Sequence, residues 1–484
     1  MIDDAQLYSA YASRDPRFDG VFFIGVTSTG IYCRPVCPAR TPKAANCRFF
    51  HSAEAAEKAH FRPCLRCRPE LAPGLAPVDG AHRIAGMIVQ RIDEGMLDGG
   101  AGLERIAEQF GWSSRQIRRI LQQELGVSPI ELLQTRRLLL AKQLLTETAL
   151  SVTEVAFASG FASLRRFNDA FSRRYGMPPT RLRKATNGTA APAPAASITL
   201  QLGYRPPFDW AGLLDFLGAR ALKGVESVEG NAYLRTVRLG AHTGWVRVRH
   251  APKQRALLAE FPHALTPVLP ALLGRLRNLF DLSARPDVIG AQLARDPLLS
   301  KSVRQRPGLR VPGAFDGFEL ALRAILGQQV SVKSATTIAA RLVNAFGEPM
   351  DTPHDGLTHL TPLPTRIAAT TLDDIASLGI VRSRAQSIIA LAQASESGDL
   401  LLEPGVSPEA TVQQLVALPG IGPWTAQYIA MRALRWPDGF PKEDLIVRKR
   451  LGGITARRAA ERAEAWRPWR SYAVLHLWRA EGEG

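Results

Sequence analysis

Beyond Cys67 this 484-residue chain has no cysteine; Cys33, Cys37, Cys47, Cys64 and Cys67 are the whole complement. That absence excludes disulfides, a thiol nucleophile and a cysteine-held iron–sulfur cluster from everything downstream. Long apolar runs are missing too, since no stretch reaches the roughly 20 residues a membrane helix needs. The amino terminus, Met1-Ile2-Asp3-Asp4, lacks the basic and apolar regions of a secretory leader, so a cytoplasmic location without membrane contact is expected. Acid is scarce relative to base. Against 44 Asp and Glu stand 61 Lys and Arg, a formal charge of +17 that attracts polyanions and points first to nucleic acid. A chain this long divides into about two to four domains.

Four of the cysteines read C-x3-C, a gap of 26 residues, then C-x2-C. Two short pairs brought together by a chain crossing deliver four sulfurs to a tetrahedron, the closed geometry of a structural Zn²⁺ site. Arg and Pro flank both pairs (Tyr32-Cys33-Arg34-Pro35-Val36-Cys37-Pro38 and Arg62-Pro63-Cys64-Leu65-Arg66-Cys67-Arg68-Pro69), which disfavours ordinary core cysteines. One Zn²⁺ on Cys33, Cys37, Cys64 and Cys67 is therefore expected. Cys47 reads as a small buried hydrophobe, and His51 and His60 are the competing ligands.

Composition breaks the chain into segments. Pro and Gly close a cysteine-bearing unit, 1–78; residues 82–184 show helical periodicity; an Ala/Pro-rich linker, 185–197, precedes alternating strand patterns at 198–265; and helical periodicity returns over 266–484. The all-α segment holds two successive helix-turn-helix patterns, with Gly111 and Gly160 at the turns and Ser113 or Ser114 and Ala162-Ser163 as caps. Their tandem arrangement on one long helix near Pro129–Leu145 resembles the AraC-type DNA-binding domain, as does Tyr175-Gly176-Met177-Pro178-Pro179. Arg115, Arg118, Arg165 and Asn168 are the side chains expected nearest the bases of an operator duplex.

Residues 1–75 resemble the amino-terminal domain of Ada-type DNA repair proteins, through Gly25-Val26-Thr27-Ser28-Thr29-Gly30-Ile31-Tyr32-Cys33-Arg34-Pro35 and Phe61-Arg62-Pro63-Cys64-Leu65-Arg66-Cys67. The resemblance implies that Cys33 accepts a methyl group from a methylated DNA phosphate, a suicide methyltransferase step. Zn²⁺ with four thiolates carries −2, and methylation leaves −1, so repulsion from DNA falls and binding by the adjacent reader tightens. RNA polymerase is then a candidate partner. Without a later cysteine, the O6-methylguanine activity usual in that family is not expected.

The carboxyl half carries Leu418-Pro419-Gly420-Ile421-Gly422-Pro423-Trp424-Thr425-Ala426, a helix-hairpin-helix turn whose backbone N–H groups can hold a phosphate. Asp444 follows eighteen residues after Ala426. With Phe318–Val332 and Trp466–Ala473 this half resembles the AlkA-type 3-methyladenine DNA glycosylases. The resemblance implies that Asp444 stabilises an oxocarbenium-like sugar, that Trp424, Tyr428 and Trp478 form the base pocket, and that Gly420, Gly422, Gln328, Gln329 and Arg450 meet DNA. Aromatic faces favour a cationic alkylated base by roughly 0.5–2 kcal/mol. Gln329 stands where some relatives have a leucine wedge, and Arg479 replaces an aromatic residue beside Trp478. Trp424 occupies the position of the Schiff-base lysine of bifunctional relatives, so hydrolysis without strand cleavage is expected.

The expected architecture is multidomain and predominantly α: a small zinc-binding α+β domain, an all-α tandem helix-turn-helix domain, a small TBP-like α+β domain and an all-α helix-hairpin-helix glycosylase domain. The expected function joins excision of 3-methyladenine- and 7-methylguanine-type bases to a methyl-phosphotriester-sensing transcription regulator. The alternative is a regulator whose glycosylase half is inactive and only binds DNA.

Overall fold

The computed structural model describes residues 3–74, 102–110, 112–187 and 197–479, with Ala85, Ile88, Val89, Arg91 and Ile92. Gly111, the expected boundary at 78–82 and all but the ends of the expected linker fall outside the described residues. Among the described residues no helix is long and apolar enough to cross a membrane.

The amino-terminal unit is a four-stranded sheet in the order Cys47–Phe50, Phe23–Val26, Ile31–Cys33, Arg62–Pro63, antiparallel except for the last pairing. One apolar cluster, with Leu7, Tyr11, Phe22 and Ile24, packs around the four cysteines. The other, with Phe23, Tyr32, Ala56 and Phe61, reaches Leu139 of the next unit.

Leu139 lies on the helix Pro129–Glu147, which a Ser128 capping box and Pro129 at the first turn start. This helix is buried on several sides. Leu132 joins the core of the first helix-turn-helix (Gly102–Phe110 and Ser114–Leu125). Leu138, Leu144 and Leu145 join the core of the second (Val152–Ala158 and Leu164–Tyr175). Ser113 and Ser163 cap the two recognition helices, as their positions in the sequence predict. Gly160 turns with φ +86°, where a side chain would press on Arg137.

The carboxyl half begins with a five-stranded antiparallel sheet, ordered Ser197–Gly203, Ala256–Pro262, His242–Ala251, Ala232–Leu239, Glu226–Glu229. The expected boundary at 265 falls inside a continuous core: Leu269, Leu272 and Leu276 of the following helix, Trp466 and Tyr472 near the carboxyl end, and Phe167 and Phe171 of the reader all share it. A second core is built from the helices Gly317–Leu326, Val332–Phe346, Arg382–Glu396, Pro408–Ala417 and Pro423–Arg432. Tyr428 packs against both cores, so the seam between them runs past its ring.

Candidate functional site

Cys33 ends a strand, Cys37 follows a turn, and Cys64 and Cys67 bracket a second turn after Pro63. Their sulfurs lie within 4.8 Å of one another and all four residues are buried. A tetrahedron with Zn–S of about 2.3 Å has edges of about 3.8 Å, so the set fits one Zn²⁺. His51 and His60 are not in this cluster, which is the one group of potential ligands among the described residues. Cys47 is half-buried in a strand rather than buried in a core.

The four sulfurs differ in their surroundings. Backbone N–H groups donate to Cys67 (from Arg34, 3.3 Å) and to Cys64 (from Arg66, 3.4 Å). Such bonds withdraw electron density from sulfur. Among the described hydrogen bonds Cys33 Sγ receives none, and it lines a cleft of about 750 Å³ together with Arg40, Lys43, Arg62 and Arg66. Cys64 lines the same basic cleft.

In the carboxyl half, Asp444 is the N-cap of the helix Leu445–Arg450, its Oδ1 accepting from the Val447 N–H at 2.9 Å. Capping is only part of its environment. Trp424 Nε1 donates to Oδ2 at 2.9 Å and Trp478 Nε1 donates to Oδ1 at 3.2 Å, so three donors from three helices aim one 6 % exposed carboxylate. Trp424 and Tyr428, four residues apart on one helix, stack with centroids 5.4 Å apart and planes 9° apart, and Trp478 stands 6.2 Å from Tyr428. Glu443 makes none of these bonds.

Arg432, another turn along the same helix, was not singled out by the sequence although its i,i+4 spacing from Tyr428 was available. Its guanidinium donates to the Tyr428 hydroxyl at 2.7 Å and to the carbonyls of Pro312 and Gly313. Burial would raise the Tyr428 hydroxyl, but the guanidiniums of Arg432, Arg220 and Arg323 outweigh it and hold the group below its ordinary value. Arg479 turns from the aromatic corner to donate to the Gly212 carbonyl, its guanidinium 5.9 Å from the Phe216 ring centre.

The hairpin stands beside this corner. Gly420 takes φ +74°, and a Cβ there would lie 2.2 Å from Ser387 Oγ. Gly422 caps Pro423–Arg432 without a side-chain hydrogen bond, leaving N–H groups for an anion. Gln328 is half-buried, its Nε2 donating to the Gly420 carbonyl and Thr425 Oγ1, each at 3.0 Å, so it braces the hairpin. Gln329 is exposed at φ +54°, a left-handed conformation that costs a non-glycine residue about 1 kcal/mol or more. Arg450 is half-buried at the end of its helix; Arg115, Arg118 and Arg165 are exposed on their helices, and Asn168 is half-buried.

Comparisons with known proteins give four family matches along the chain. Family models match for "Metal binding domain of Ada" over 6–70, "Helix-turn-helix domain" over 106–185, "AlkA N-terminal domain" over 199–316 and "HhH-GPD superfamily base excision DNA repair protein" over 322–471. The chain is 40 % identical over 485 aligned positions to the "Probable bifunctional transcriptional activator/DNA repair enzyme AlkA" of Mycobacterium tuberculosis, covering 98 % of this chain and 96 % of the relative. It is 37 % identical to "DNA-3-methyladenine glycosylase 2" of Escherichia coli over 58 % of this chain and 97 % of that one. The solved 3-methyladenine DNA-glycosylase of Archaeoglobus fulgidus shares the fold, with a TM-score of 0.50 at 21 % identity, over 57 % of this chain and 96 % of that chain.

Proposed function

The chain belongs to the family of bifunctional transcriptional activator/DNA repair enzymes of the AlkA kind, and from that membership we propose how its residues divide the work. It is a DNA glycosylase joined to a zinc-binding domain and a helix-turn-helix DNA reader. Asp444 is the catalytic carboxylate, with Trp424, Tyr428 and Trp478 receiving the flipped alkylated base. The observation that carries this reading is the convergence of two indole N–H groups and a backbone N–H on Asp444. A carboxylate fixed in this way needs no reorganisation as the sugar becomes positive, and the N3- or N7-alkylated base leaves as a neutral molecule while water adds to the sugar.

Gly420 and Gly422 hold a backbone phosphate beside that pocket, Gln329 fills the gap left by the flipped base, and Arg450 neutralises a further phosphate. In the amino half Zn²⁺, held by Cys33, Cys37, Cys64 and Cys67, keeps its ligands as thiolates when bound. Cys33 Sγ attacks the methyl carbon of a methylated phosphate; the S–C bond forms, the C–O bond breaks, and a phosphodiester anion leaves. Arg115, Arg118, Arg165 and Asn168 read an operator, and RNA polymerase is recruited there. The test is release of free 3-methyladenine and 7-methylguanine from methylated duplex DNA by the purified protein, with mass analysis of the Cys33 peptide. Base release without methyl on Cys33 would leave a glycosylase with a structural zinc; methylation without base release would leave the regulator alone.

A further inference from the structure

Among the described residues the strand Ser197–Gly203 lies at the edge of the carboxyl half's sheet and pairs with one neighbour. An edge strand presents unpaired N–H and C=O groups that must be covered or solvated. Here the central helix of the reader covers them. Glu147 Oε2 accepts from the Gln201 N–H at 3.0 Å, and Gln143 Nε2 donates to the Gln201 carbonyl at 2.9 Å, so two side chains one turn apart take the place of a sixth strand. At Gly203 the approach is so close that a Cβ would lie 2.1 Å from the Leu71 carbonyl oxygen of the zinc unit.

Two residues further on, Arg205 is 1 % exposed and donates to four carbonyls: Asp19 at 2.8 Å, Pro73 at 3.2 Å and Gly74 at 2.8 Å before the linker, and Ser283 at 2.6 Å after it. A buried guanidinium satisfied by main-chain oxygens of two segments so distant in sequence fixes their relation more tightly than apolar packing alone. The contacts continue to the cysteines. The Asp19 carboxylate holds Arg34, whose Nε donates to it at 2.8 Å, and the Arg34 backbone N–H donates to Cys67 Sγ. A second route leaves Arg68, beside Cys67, and reaches Glu147 through an ion pair.

We infer that the two halves are locked into one unit, the free edge of the glycosylase sheet being a docking surface for the reader helix and zinc unit, and that the state of the zinc cluster is felt at that edge. Residues 188–196 then join two already docked parts, and zinc loss loosens Ser197–Arg205 through Arg34–Asp19 and Arg68–Glu147.

Placing a protease recognition sequence between residues 188 and 196 of the full chain tests the lock directly. After cleavage the fragments should co-migrate in size-exclusion chromatography, and they should separate in the Arg205→Met/Glu147→Ala variant. Gly203→Val, which sets a side chain against Leu71, should separate them independently while circular dichroism reports the fold. Separation of the wild-type fragments, or co-migration of the variant fragments, overturns the lock. Hydrogen exchange on the uncut protein tests the coupling. The Gln201 amide should exchange about tenfold faster once a chelator removes zinc, as expected for loss of one hydrogen bond; an unchanged rate overturns the coupling.

Discussion

Replacing Asp444 by Asn keeps the size of the side chain and changes two things at once. It removes a negative charge from a site where positive charge develops on the sugar, and it turns one acceptor oxygen into a donor. At a separation of about 4 Å and an effective dielectric near 20, the lost attraction is about 4 kcal/mol, close to a thousandfold in rate. The second change is structural. Trp424 Nε1, 2.9 Å from Oδ2, or the donors on Oδ1, must now face an NH₂ group, at a cost of about 1–3 kcal/mol in stability.

The two effects separate in a cycle. Single-turnover release of 3-methyladenine measures the first and denaturant unfolding the second, for Asp444→Asn, Trp424→Phe and the double variant. Trp424→Phe removes the donor that Asn would oppose, so the double variant should recover part of the stability and none of the rate. If Asp444→Asn stays within about tenfold of wild type, the charge argument is wrong. Rate recovery in the double variant would show that the single variant failed by distortion.

The neighbouring geometry supports three further expectations. Arg432 already donates to the Tyr428 hydroxyl, so that hydroxyl's own proton is directed elsewhere; Tyr428→Phe should slow release of 7-methylguanine, which offers a carbonyl, by about five- to tenfold while sparing 3-methyladenine, and an equal loss on both bases would refute the donor role. Gly420→Ala should weaken binding to any duplex sequence alike and flatten its salt dependence, read by titration at several salt concentrations; a sequence-dependent effect would contradict a backbone-phosphate role. Glu57, fully buried, is pushed up to about 7 by burial, against Arg174, Thr135 and Tyr32, which favour its charged form. The folded state then holds this proton more tightly than the unfolded state, so stability falls as pH rises from the ordinary carboxyl range to about 7. Glu57→Gln should flatten that slope in thermal unfolding; an unchanged slope would assign it to another group.

The chemistry was legible wherever it is carried by residue types at short spacing. Cys33, Cys37, Cys64 and Cys67 come together as their spacing predicts because each pair sits on one turn, and Ser113 and Ser163 cap their helices because capping is decided within four residues. The aromatic corner was legible only through resemblance, since Trp424, Asp444 and Trp478 stand on three separate helices. The two indole bonds that Asp444 accepts besides capping its own helix appear only once those helices pack. Gln328 shows the limit from the other side: its place in the motif marks it for the DNA surface, and nothing in that motif announces that its Nε2 donates to Gly420 and Thr425 of the hairpin.

What the sequence hid most completely is the relation between the halves, and the reason is chemical. An Ala/Pro-rich stretch reads as a spacer because its composition disfavours a core of its own, but composition says nothing about whether the parts on either side touch. Those contacts are made by Arg205 on carbonyls and by Gln143 and Glu147 on the main chain of Gln201. Carbonyls are present at every residue, so no pattern of side chains announces which ones an arginine will find. A local trace is negative: Gly203 stands where a Cβ would lie 2.1 Å from the Leu71 carbonyl oxygen of the other half. A glycine at the end of a strand is an ordinary turn residue until the chain that crosses it is known.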